Sequence, residues 1–489
     1  MFAKRTRSLL CLCIAASLSM TAPQMSLAQG NDLPDIGTVA GATLSIDQEL
    51  LYGDAYMRMI RANQPVINDP VLSEYVDTLG HRLVAHADNV KTPFHFFLIN
   101  DHAINAFAFF GGYVALHSGL FFDTQSESEL ASVMAHEISH VTQRHLARSM
   151  EEQAKRSPAT LAALAGALLL AIAAPEAGIA AITATTAGSI QGQINYTRSN
   201  EREADRFGMQ TLAKSGFDVM AMPRFFSRLA AEYRYSSKPP QMLLTHPLPE
   251  ARITDTRERA QQYPQEHPAA SLRFFLARSR VMARYSGLSE DDALDWFNRT
   301  AKKSPSAMEP AFEYGKALVY LDNEKLPQAK EILSKLVKTD PDNNFYLDAM
   351  SDLYLALNQA HDAQLMLERT LKENPNNAVL AINYGNVLVK EEKFQDAIRV
   401  LQRYTHDNPN DPNGWDLLAE ANSRAGNSEE DLAARAEILA LKAQWNKAIQ
   451  YYTQASQLAK LGSLEQARYD ARIDQLILQR ERFMALQNK

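Results

Sequence analysis

Three alanines, Ala329, Ala363 and Ala397, stand 34 residues apart, and Pro341, Pro375 and Pro409 keep the same interval twelve residues behind them. A fixed period of this length marks helix-pair repeats of the tetratricopeptide kind. The small residue lets paired helices approach closely, and the proline closes the second helix. An arbitrary helical bundle has no reason to keep such a period. Tyr320 and Tyr354, Gly385, and Trp415 with Leu418 and Ala419 agree with it. Ala293, Phe297 and Pro305 mark an earlier, imperfect unit, and Trp445 to Leu458 begins a last helix pair after an irregular insertion. Residues 268–489 are therefore expected to form an α-solenoid with a concave face for a protein or peptide partner.

Upstream, His136-Glu137-Ile138-Ser139-His140 sets two histidines four apart. On a helix they share one face, one turn from each other. Glu127-Ser128-Glu129-Leu130 before them is acidic where a helix N-terminus favours negative charge, with Thr124 or Ser126 as cap. Two imidazoles so placed can take two corners of a zinc tetrahedron, and Glu137 sits at the rim as a general base toward water. The plainer reading is an exposed helix that happens to carry two histidines. A third ligand is needed, and Glu201 is the candidate: Glu201 and Asp205 again share a helix face. Asp205 can then accept the free N–H of a ligating histidine. Without the upstream motif, this stretch would read as a solvated acidic face.

His136 to Val141, Arg144-His145, and Glu201-x-x-Ala204-Asp205 together resemble the zinc metallopeptidase family that includes the CAAX prenyl endopeptidases and the bacterial protease HtpX. The resemblance implies one zinc ion per chain, held by His136, His140 and Glu201. Asn105-Ala106-Phe107-Ala108 and Gly111-Gly112-Tyr113 resemble the family's edge strand above the metal. The same resemblance sets Thr245-His246-Pro247, followed by Arg252, in a loop facing the site. His246 is then a candidate for the fourth position at rest, and Arg252 for steadying a substrate carbonyl or an oxyanion.

The fold class expected is mainly α with a small β-sheet: a metalloprotease domain at 29–267, then the repeats. Short apolar runs at Phe94 to Ile99 and Tyr113 to His117 read as strands. Their edge either grips an extended peptide or is a plain core hairpin. Residues 1–28 read as a secretory signal: Lys4, Arg5 and Arg7, an apolar stretch from Leu9 to Leu18, and a small-x-small site ending at Ala28. Both cysteines, Cys11 and Cys13, lie inside it, so the mature chain has no thiolate nucleophile and no disulfide. A net charge of −7 argues against nucleic acid binding. The uncharged run at 159–174 is shorter than the ~20 residues a spanning helix needs. With the stretch to Ile190 it reads as a hairpin between the metal ligands, a candidate lid or a peripheral membrane contact.

These features point to an exported metalloprotease with a docking domain, and the resemblance implies a periplasmic zinc endopeptidase. Relatives of this layout, signal and protease and repeat tail, imply outer-membrane β-barrel proteins and the barrel-assembly machinery as partners, with degradation of misassembled barrels and help to their assembly. The alternative is a repeat-based chaperone or adaptor whose metal site is weakly active or regulatory.

Overall fold

The computed structural model describes residues 44–156, 198–234 and 241–485. The signal at 1–28, the stretch from 29 to 43 and the apolar 159–190 lie outside them. Among the described residues no helix is long and apolar enough to cross a membrane.

Helix α1 (Ile46–Asn63) opens on a capping box in which Ser45 and Gln48 bond reciprocally. Strand β1 (Val66–Ile67) follows, then α2 (Pro70–Val84), capped by Asp69 with proline at its first turn. Next come β2 (His95–Ile99), β3 (Ala106–Phe109) and β4 (Tyr113–His117). The sheet runs β1-β2-β4-β3, with β2 and β4 parallel and both outer pairings antiparallel. Strand β3 is thus both a sheet edge and an arm of a hairpin. The turn between β3 and β4 needs glycine: Gly112 has φ +79°, and a Cβ there would lie 1.8 Å from Pro93 O.

Short α3 (Gly119–Asp123) leads into α4 (Glu127–Thr142), the helix of the two histidines. Ser126 is its cap, bonding Glu129 N, while the Glu129 carboxylate accepts from Gln125 N and pairs with Arg228. Then follow α5 (His145–Arg156), α6 (Arg198–Lys214), α7 (Ala221–Tyr233), α8 (Gln241–Thr245) and α9 (Glu250–Ala260). Helix α6 lies directly on α4. Gly208 allows this, since its Cβ would stand 3.1 Å from the backbone of Ala135 and His136.

From Leu272 the chain is helix pairs: α10 (Leu272–Tyr285) with α11 (Glu290–Ala301), α12 (Glu309–Asp322) with α13 (Leu326–Thr339), and α14 (Asn344–Ala356) with α15 (Ala360–Glu373). Three more pairs follow: α16 (Ala378–Lys390) with α17 (Phe394–Asp407), α18 (Pro412–Ala425) with α19 (Ser428–Leu441), and α20 (Trp445–Leu458) with α21 (Leu464–Ala485). Ala329, Ala363 and Ala397 are wholly buried between paired helices. The stretch before Trp445, expected as an irregular insertion, is the regular helix α19. Its signature is lost because Asp431 and Ala443 stand where the period calls for alanine and proline.

The solenoid curls around the protease domain. Helix α2 packs against α10, α14 and α16 on the inner side of the arc, and α1 meets α19 near its far end. There Arg58 donates to Ala440 O at 2.6 Å and lies 4.9 Å from the Trp445 ring centre. At the near end Arg280, 2% exposed, donates to Asp69 at 2.6 Å and to Tyr314 at 2.8 Å and pairs with the Asp348 carboxylate at 2.7 Å. Part of the concave face is therefore filled by the protein's own α2.

Candidate metal centre

Helix α4 is buried from Ser128 to His140, so its histidines meet other elements and not water. His136 Nε2 and His140 Nε2 converge to 3.0 Å. Opposite them, α6 presents Glu201, whose Oε2 is 3.5 Å from His136 Nε2 and whose Oε1 is 3.5 Å from His140 Nε2. His246, at the end of α8, adds its Nδ1 at 3.4 Å from His136 Nε2 and 3.1 Å from Glu201 Oε1. All four residues are buried and offer donor atoms within 4.8 Å of one another. Bonds of about 2.0–2.1 Å in a tetrahedron give edges near 3.3–3.4 Å, and the separations found scatter about that value. Three imidazoles and one carboxylate thus fit a divalent transition metal.

Glu137 is 0% exposed, and neither carboxylate oxygen has a hydrogen bond among the described residues. Its Oε1 lies 3.6 Å from His246 Nε2. A buried carboxylate left so is costly unless a ligand or water completes it.

Behind the donors stands a second layer. His136 Nδ1 is 3.0 Å from Asp205 Oδ1, though angled off the ideal hydrogen-bond line. Arg252 grips Asp205 with Nε and Nη2, both at 2.8 Å, and its Nη1 reaches Glu201 at 2.7 Å and Pro247 O at 2.8 Å. Arg252 therefore braces two carboxylates and the loop after His246, where the sequence pointed to a substrate-facing role. On the His140 side the ring of His145 lies 2.8 Å away, and His145 in turn meets Glu203. Neither His145 nor Glu203 carries a spacing signal for this contact in the sequence.

The charges follow this arrangement. Burial works to lower His136, but the Asp205 and Glu201 carboxylates outweigh it and hold it at about 10. Burial, then the His136 charge, pushes His140 far below the usual histidine range. Burial opposes ionisation of Glu201, yet the His246 and His136 rings hold its carboxyl well down. For Asp205 burial is likewise overcome, chiefly by Arg252. Glu201 and Asp205 are thus kept ionised by the cationic side chains packed against them.

Residues 70–260 match peptidase family M48, and residues 354–421 match a tetratricopeptide repeat family. A Vibrio cholerae protein is 72% identical over 482 residues, 99% of each chain. An Escherichia coli K12 protein described as a beta-barrel assembly-enhancing protease is 48% identical over 99% of each chain. The Escherichia coli metalloprotease YcaL is 31% identical over 163 residues, 32% of this chain and 60% of its own.

Proposed function

The chain belongs to the beta-barrel assembly-enhancing proteases of peptidase family M48, and from that premise we propose that this metallopeptidase uses zinc, works in the periplasm, and acts on outer-membrane β-barrel proteins. His136, His140 and Glu201 hold the ion, and Glu137 is the catalytic carboxylate. The observation that carries this reading is the convergence of four buried donors beside a buried carboxylate with no hydrogen bond among the described residues. A structural metal site has no use for Glu137 in that position.

Bound zinc would supply a Lewis acid that polarises the scissile carbonyl and acidifies water. Glu137 takes the proton from water as the carbonyl is attacked, then gives it to the leaving amine. Asp205 keeps His136 oriented, and Arg252 fixes both acidic side chains of α6. His246 Nδ1, 3.1 Å from Glu201 Oε1, would be a fourth donor to the ion at rest, and movement of its loop on engaging substrate would free that place. On this reading the protease domain runs to 267 and the repeats begin at 268, a division supported by the connection between the end of α9 and the start of α10. The repeats dock the substrate or the barrel-assembly machinery, and the same contacts support a chaperone role.

Glu137→Gln tests the mechanism. The variant is expected to keep one zinc per chain by elemental analysis and to keep its partners in pull-downs, yet to lose cleavage of casein and of a misassembled barrel. Cleavage at the parent's rate by a zinc-replete Glu137→Gln would remove the proposed base. Loss of zinc from the parent by chelation should abolish proteolysis and leave partner capture intact.

A further inference from the structure

We propose that His145 is a positioning residue for His140, fixing which of its ring nitrogens faces the cluster. This rests on the reading of His140 as a metal ligand. His145 is fully buried at the start of α5, just past Arg144, whose φ of +52° turns the chain sharply after α4. That turn brings the His145 ring back against α4. Its Nδ1 is 2.8 Å from His140 Nδ1, and its Nε2 is 3.1 Å from Glu203 Oε2. Glu203 also accepts from Arg148 Nη1 at 2.8 Å.

The order of donors along this chain follows from its ends. An ionised carboxylate only accepts, so the Nε2 of His145 carries the ring proton. A ring with a single proton then has its lone pair on Nδ1, and the facing His140 Nδ1 must be the donor. That leaves His140 Nε2 with its lone pair, pointed at Glu201 and beside His136 Nε2. His136 is held in the same sense by Asp205, with Arg252 behind it. Each histidine of the motif is thus backed by an arginine–carboxylate pair, directly for His136 and through one added imidazole for His140. Outer partners of this kind typically change metal affinity by about 10–100-fold when removed.

The test uses the full mature chain loaded with zinc or cobalt alone. His145→Phe fills the same space and removes both hydrogen bonds. It is expected to weaken zinc binding by about 10–100-fold in competition with a chelator and to alter the visible spectrum of the cobalt form. His145→Asn restores an acceptor toward His140 and should recover most of the affinity, a rescue that a merely space-filling role does not give. Glu203→Ala, at a partly exposed position, should shift affinity in the same direction by less, and it serves where His145→Phe does not fold. Parent-like zinc affinity and cobalt spectrum in folded His145→Phe, or in Glu203→Ala should that variant alone fold, would overturn the proposal. A His145→Asn no better than His145→Phe would do the same. His140→Ala separates the two layers of argument: parent-like zinc binding there would overturn the reading of His140 as a ligand, whereas lost binding beside an unaffected His145→Phe would overturn this inference alone.

Discussion

At the scale of single residues the site is decided by which atoms face each other, and His246 shows it best. Its Nδ1 joins the donor cluster and its Nε2 lies near Glu137, so one imidazole adjoins both the cluster and the Glu137 carboxylate. A fourth protein donor excludes water from an open position. His246→Ala is therefore expected to retain zinc through the other three ligands while basal casein cleavage rises severalfold. Metal content and initial rates measured on one preparation decide it. Loss of cleavage on every substrate would assign His246 to transition-state stabilisation, and a parent-like basal rate with a parent-like response to substrate would remove it from both roles. The histidine spacing made His136 and His140 legible from sequence, and helix spacing did the same for Glu201 with Asp205. His145 had no such signal, because a positive-φ residue separates it from α4 and helical periodicity does not cross that turn.

At the scale of elements the repeat period proves to be written in the backbone as well as in the sequence. Glu324, Asn358, Glu392 and Gly426 follow one another at 34 residues, and all have positive φ, from +57° to +82°, at the turns inside four successive helix pairs. Only the last is glycine. A side chain in this region costs roughly 1–2 kcal/mol, while glycine adds chain entropy that folding must overcome. Glu324→Gly is accordingly expected to raise unfolding free energy by about 0.5–1 kcal/mol. Urea titration of the purified protein measures this, and a lowered midpoint would show that the Glu324 side chain supplies something the turn geometry does not. The elements that sequence left obscure have simple causes. Strand β1 is two residues long, too short for any alternation to register. Helix α19 lost its alanine signature to Asp431, although its apolar face, with Ala433, Ala436 and Ala440 buried, still packs as a repeat helix.

At the scale of the molecule, protease and repeats are pinned to each other at both ends of the arc, by contacts that no local pattern announces. Asp69 and Arg280 are 211 residues apart in sequence and 2.6 Å apart in space. Asp69 also caps α2, so one carboxylate starts a protease helix and receives the first repeat helix. Arg280 is held in addition by Tyr314 and Asp348, from the next two helix pairs, while Asn383 donates to the other oxygen of Asp348. Removing residues from about 310 onward is consequently no neutral cut: it strips Tyr314 and Asp348 from a buried guanidinium and bares the α2 face that α14 and α16 cover. A point substitution asks the question more cleanly. Arg280→Ala leaves Asp69 and Asp348 buried without their cation, a change that typically costs about 3–5 kcal/mol. The proposed metal ligands His136, His140 and Glu201 lie on α4 and α6, which do not share this network, so the variant is expected to keep its metal while its unfolding midpoint falls. The loosened arc should also expose the Gln261–Ser271 connection between α9 and α10 to added protease sooner than in the parent. An unchanged midpoint together with an unchanged cleavage pattern would mean that the Arg58 end of the arc holds the two domains together by itself.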